Sequence, residues 1–229
     1  MHRLTRLPHI QKLSKPAAMM ALSLLMAGSA LIAMGGVEQA PAKERYTLNN
    51  YINSAQEPRI LEAFKLLADS SGEKSLTIIV NRPIRVIFKD LATLDKRVKD
   101  YDALSYMTAN GQLMIYINQK HADAPPAALA AILSHEALHN DMQNSLSEEV
   151  AGWTQEAKVW HELKQKDGKL QAYVKGQSAL VDRLNTLDEH LKAGNLVSFV
   201  RSQAAYKGLP ESSPGYADTV AISPDEKTQ

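Results

Sequence analysis

The residues of this chain best suited to chemistry are His135-Glu136-Ala137-Leu138-His139, a H-E-x-x-H pattern at the end of an Ala/Leu/Ile-rich run. Ala and Leu favour a helix here, and residues four apart in a helix share a face. The two imidazoles would then project the same way, one turn apart. At that separation two neutral imidazoles can share one tetrahedral zinc ion at about 2.0–2.1 Å each. Glu136 follows the first histidine by about 100° around the helix, so its carboxylate reaches a water held by the metal rather than the metal itself. Zinc lowers the pKa of such a water to about 7, and a carboxylate beside it can take the proton as general base. The competing reading is a polar patch on an ordinary amphipathic helix. Against it, the apolar flanks leave three polar residues in need of buried partners or a cleft.

A hydrolytic zinc site needs a third protein ligand and an open position. Residues 140–147 are polar and rich in Asn and Ser, which predicts a turn that folds a second helix back against the first. Ser147 is expected to cap that helix and to place Glu148 and Glu149 in its first turn. The macrodipole favours an acid there by about 0.3–1 kcal/mol, which explains one of the pair. The other is expected to be the third ligand, and spacing leaves both open. Glu156 lies one or two turns further on. It is expected to form a surface ion pair; the other reading is that it orients a zinc histidine.

His135-Glu136-x-x-His139 followed by Asn144-Ser145-x-x-Glu148-Glu149-Val150-x-x-Trp153 resembles the small gluzincin-type zinc metallopeptidases, the minigluzincins. The similar stretch covers residues 111–160, well under half the chain. The resemblance implies a zincin-like fold and a His/His/Glu zinc site: His135 and His139 as ligands, a glutamate from the next helix, and Glu136 as the catalytic base. Aligning Glu149-Val150-Ala151-Gly152-Trp153 with the family's glutamate segment favours Glu149 over Glu148. Gly152 stands where many relatives carry a larger residue. No residue matches the His or Tyr that polarises the substrate carbonyl in larger gluzincins, and Tyr173 is a weak candidate for that role. The implied activity is peptide-bond hydrolysis. The alternative is a zinc-binding or peptide-binding protein without turnover.

The 229 residues carry a net charge of +1, and Lys and Arg are dispersed, so nothing points to nucleic acid. There is no cysteine, which excludes disulfides and thiolate zinc sites. The first 42 residues differ from the rest. Arg3, Arg6, Lys12 and Lys15 form a basic start, and residues 17–37 contain no charge at all. That pattern predicts an export signal or a retained membrane anchor, because about 20 apolar residues also suffice to span a bilayer. Ala40-Pro41-Ala42 offers small residues for cleavage. Either way the remainder is expected to be exported, periplasmic or secreted, or tethered to the inner membrane. Residues 43–229 hold 22 basic residues against 24 acids, and this remainder is mildly acidic.

Residues 43–207 read as a metallopeptidase-like domain of α+β class, a small hairpin-containing sheet on a mainly helical zinc-binding subdomain. Residues 57–68 predict a helix with Pro58 in its first turn. Residues 75–80 and 84–88 are short, β-branched and predict two strands. Asn110-Gly111 between two apolar runs predicts a hairpin, with Leu113, Ile115 and Ile117 on one face of its second arm. In zincins the strand before the zinc helix overhangs the cleft, which implies that a peptide could add to a free edge of residues 112–117. Asp123 is expected to cap the zinc helix, and His121 to lie exposed in the loop before it. After Trp153 a helical pattern runs on, interrupted at Gly168, with Leu180, Leu184 and Leu187 marking a helix that packs back. Residues 208–229 are polar, with three prolines, and are expected to be a disordered tail.

Overall fold

Pro58 pre-sets the first turn of helix α1 (Pro58–Ala68), and the recurrence of Ile60, Ala63, Phe64 and Leu67 gives it one fully buried face. The computed structural model describes residues 51–108, 110–139 and 144–213. The expected leader at 1–42 lies outside the described residues, as do 214–229 and the first half of the expected turn at 140–147.

The first departure from the sequence reading follows α1. Residues 75–80 are not a strand but belong to helix α2 (Glu73–Asn81). Its buried residues are Ser75, Leu76 and Ile79, at helical spacing rather than in alternation. Thr77 Oγ1 donates to Glu73 O one turn back, and Ser75 Oγ donates to Ser134 O at 2.9 Å on the helix that carries the histidines. Tertiary packing of Leu76 and Ile79 outweighs the β-propensity of Thr77, Ile78 and Val80.

Strand β1 (Arg85–Lys89) forms as expected, and a 3₁₀ turn at Leu91–Thr93, capped by Asp90, follows it. The hairpin is present: β2 (Ala103–Met107) pairs antiparallel with β3 (Leu113–Asn118), and Gly111 turns the chain with φ of +80°. β1 pairs parallel with β3, so the sheet order is β1-β3-β2. β3 is therefore the central strand, paired on both sides, and has no free edge for a peptide. The edges are β1 and β2. The backbone bonds Asn118 N to Asp102 O and Thr108 N to Gln112 O set the phase of the ladder. Ala103, Ser105 and Met107 accordingly turn their own N–H and C=O groups away from β3.

Helix α3 (Pro126–Glu136) is buried along its whole length, from Ala127 to Glu136. Pro125, not Asp123, occupies its cap, and the Asp123 side chain is exposed beside Arg59. An evenly apolar helix of this kind sits at the centre of its neighbours. It packs on α1, α2 and β2 and on helix α4 (Leu146–Lys166). Gly168 opens a short helix α5 (Gly168–Gln171). Helices α6 (Ala179–Lys192) and α7 (Leu196–Arg201) then pack back on α4. Trp160 of α4, Phe64, Leu129 and Leu133 are among the fully buried side chains of the shared core. The fold is α+β, a three-stranded mixed sheet followed by a mainly helical region. No helix of the described residues is long and apolar enough to cross a membrane.

The helical assignment of residues 73–81 makes a specific prediction. Leu76→Ala and Ile79→Ala should each cost about 2–5 kcal/mol in denaturant unfolding, and the half-buried Ile78→Ala clearly less. Equal large losses at 76, 78 and 80 would indicate strand-like alternation and contradict it.

Candidate metal centre

The α-helical part of α3 stops at Glu136, so His135 lies in its last turn and His139 just beyond it. Leu138 N donates to His135 O and His139 N to Glu136 O, three residues back rather than four. This tightened turn replaces the continuous α-helix expected through the motif. It still brings the two imidazoles together, with their planes tilted by 44°. Their Nε2 atoms lie 3.0 Å apart, and the ring centroids 5.0 Å.

Glu149 completes the group. Its Oε2 is 3.6 Å from His135 Nε2 and its Oε1 3.8 Å from His139 Nε2. One donor atom from each of His135, His139 and Glu149 falls within a 4.8 Å span, and all three residues are buried or nearly so. Four ligands at about 2.0–2.1 Å in a tetrahedron are separated by roughly 3.3 Å, so the observed spacings suit one small divalent ion. Two imidazole nitrogens and a carboxylate oxygen are also a donor set that zinc accepts.

Glu149 reaches this position because α4 begins at Leu146, with Ser145 rather than Ser147 as its cap; Ser145 Oγ accepts from Glu148 N. Asn144 Nδ2 donates to Glu149 Oε1, and Trp153 Nε1, one turn on, donates to Glu149 Oε2 at 3.1 Å. Glu148, the neighbour that spacing could not separate from it, points elsewhere. Its Oε1 lies 3.3 Å from His139 Nδ1, on the far side of that ring. His135 has a matching arrangement, with Nδ1 3.0 Å from Glu156 Oε2. Glu156 is 1% exposed, which decides in favour of the role of orienting a histidine and against a surface ion pair. A carboxylate behind each ring fixes the tautomer that leaves Nε2 free for a metal.

Glu156 is itself held by Arg183 of α6, whose Nη2 contacts Glu156 Oε1. Arg183 Nε lies 2.6 Å from Asp102 Oδ2, a close ionic contact rather than an aligned hydrogen bond. His121 Nε2 is 2.6 Å from the other Asp102 oxygen, so His121 is buried and paired rather than an exposed loop residue. Burial alone would raise the carboxyls of Asp102 and Glu156. The bond from His121 and the charge of Arg183 hold Asp102 below its ordinary value, and Arg183 with His135 does the same for Glu156.

The same balance governs the donors. Burial pushes Glu149 up, but bonding to His135 outweighs it and leaves the carboxyl at about 2. Burial pushes His135 down, and its bonds to Glu149 and Glu156 raise it instead to about 10. In the metal-free protein a proton on His135 therefore offsets the buried carboxylates. A metal ion entering the group displaces that proton.

The group opens into a cleft of about 510 Å³, walled by β2 and the residues before it, and by α3, α4 and α6. Glu136 lines the same cleft. Ser105 Oγ on β2 lies 2.9 Å from Glu136 Oε2 and 2.7 Å from Glu136 O, which ties the carboxylate to the edge strand. Tyr173 has no part in the cleft: its hydroxyl is engaged by Ser178 and Asp182. The tyrosine on the cleft wall is Tyr206, whose hydroxyl accepts from Trp153 Nε1 at 2.7 Å. Burial and the nearby charge of Glu149 raise its pKa, so Tyr206 keeps its proton. Sequence reasoning missed it because it stands 53 positions from Trp153, outside any motif. Arg183 was missed for the same reason.

Gly152 has a steric explanation. A Cβ there would lie 2.5 Å from His135 Cδ2 and 2.7 Å from Nε2. Any side chain would push the ring off Glu156. Gly152→Ala should raise intrinsic helix propensity yet lower the affinity of the site for a divalent metal ion by about tenfold or more, read by chelator competition with circular dichroism as control. Unchanged affinity would mean that the ring is not confined as described.

A scan against protein-family models and searches of curated proteins and of solved structures return no match for this chain. The case for a metal centre rests on the arrangement of these side chains.

Proposed function

We propose that the chain is an exported zinc metallopeptidase. The observation that carries this reading is the convergence of His135, His139 and Glu149 in a cleft that Glu136 also lines. A zinc ion held by those three would supply Lewis acidity and an acidified water. Glu136, tied to Ser105 rather than grouped with the three donors, is left to work as the base. It takes the proton of the attacking water and delivers it to the amine nitrogen as the peptide C–N bond breaks, yielding a carboxylic acid and an amine. The outward backbone groups of Ala103, Ser105 and Met107 on the cleft side of β2 suit an extended peptide adding as a further strand. Tyr206 and Arg183 are the polar side chains best placed on the cleft wall to meet a substrate carbonyl.

Export belongs to the same proposal and is supported by the basic start and the uncharged run at residues 17–37. Cell fractionation should find the protein outside the cytoplasm, and a cytoplasmic pool alone would reject that part.

The mechanism is tested by substitution. Glu136→Gln should retain stoichiometric zinc and lose hydrolysis of a peptide library by a factor of about 10² or more, whereas His139→Ala should lose both. Undiminished turnover in Glu136→Gln would end the mechanism. Stoichiometric zinc with no cleavage by the unaltered protein would leave a zinc-binding protein without turnover.

A further inference from the structure

The segment that follows α7 closes over the start of α4. Leu146 N donates to Pro210 O at 2.8 Å and Ser147 N to Glu211 O at 3.0 Å. These are two of the four N–H groups that a helix N-terminus cannot satisfy internally. Glu211 is held in turn by Arg201 of α7 at 2.6 Å and by Ser147 Oγ at 3.3 Å. The chain then runs inward. Ser213 is 5% exposed, and its Oγ donates to Glu148 Oε2 at 3.0 Å. The other oxygen of Glu148 faces His139 Nδ1 at 3.3 Å. The segment also carries Tyr206, whose ring packs edge-on against Trp153.

We infer that residues 204–213 are a clasp completing the metal centre, in which Ser213 is a positioning residue for His139, acting through Glu148. The inference rests on the reading of His135, His139 and Glu149 as a metal site. By Ser145-x-x-Glu148 spacing, Glu148 would ordinarily fold back on its own cap as in a capping box. Ser213 instead anchors one carboxylate oxygen, and the other is left toward the imidazole. With its Nδ1 so engaged, His139 presents Nε2 toward His135 and Glu149. Without Ser213, the Glu148 carboxylate is free to rotate, and His139 loses the partner that orients its ring.

The experiment uses the full chain with zinc or cobalt alone as probe. Ser213→Ala should lower zinc affinity by about tenfold and alter the visible spectrum of the cobalt-loaded protein, while the metal-free protein still folds and unfolds cooperatively. Ser213→Thr should restore most of the affinity. In a Glu148→Ala background, Ser213→Ala should have little further effect, because the two residues act in series. Unchanged affinity in Ser213→Ala, or its full effect persisting without Glu148, would overturn the inference while leaving the metal site intact. Absence of zinc binding by the unaltered chain would overturn the site itself.

Discussion

Two imidazole nitrogens held 3.0 Å apart in the protein interior, with a carboxylate closing the triangle, are the constraint on which the rest of this structure depends. Such an arrangement is unfavourable by itself. Glu136, Glu148, Glu149 and Glu156 are all buried around the two rings, and Arg183 of α6 is paired with Glu156. Buried carboxylates persist only when paired, so the group calls for positive charge at its centre. A proton on His135 serves in the metal-free protein, and a divalent ion would serve better because it meets three donors at once.

The surrounding fold reads as scaffolding for that triangle. α3 is buried on every side, which fixes the direction in which His135 leaves it. The tightened turn after Glu136 brings His139 round to the same point. α4 supplies Glu149 from its first turn, Gly152 as the space for a ring, and Glu156 as the brace behind that ring. The brace extends through Arg183 to Asp102, at the entry to β2, and from there to His121 before α3. The edge strand that would receive a peptide and the helix that carries the donors are thereby joined through one line of charged contacts. That line also explains why His121, which is not a candidate donor, is withdrawn from solvent, and why Asp102 and Arg183 are partly covered.

The centre of the site was legible in the sequence because it is local. His135, Glu136 and His139 fall within five residues, and Glu149 follows on the next helix. The hairpin at Asn110-Gly111, the helix at Pro58 and the break at Gly168 were legible for the same reason: turn and cap chemistry is written in adjacent residues. What failed was non-local. Residues 75–80 have strand-like composition, and only the packing of Leu76 and Ile79 makes them helical. The free edge was assigned to the wrong strand because a parallel pairing of β1 with β3 leaves no trace in either segment. Glu156 and His121 resemble surface residues until their partners, 21 and 19 positions away, are known. Ser213 comes from a segment, 208–229, whose polar, proline-containing composition suggested no structure at all, and Tyr206 lies just before it, outside any motif.

The most direct test of the account is X-ray absorption at the zinc edge of the purified, zinc-loaded chain. It predicts one zinc per chain in a four-coordinate nitrogen/oxygen shell at about 2.0–2.1 Å, with the outer-shell scattering of two imidazoles. A chain that takes up no stoichiometric zinc, or a shell without imidazole, would contradict it.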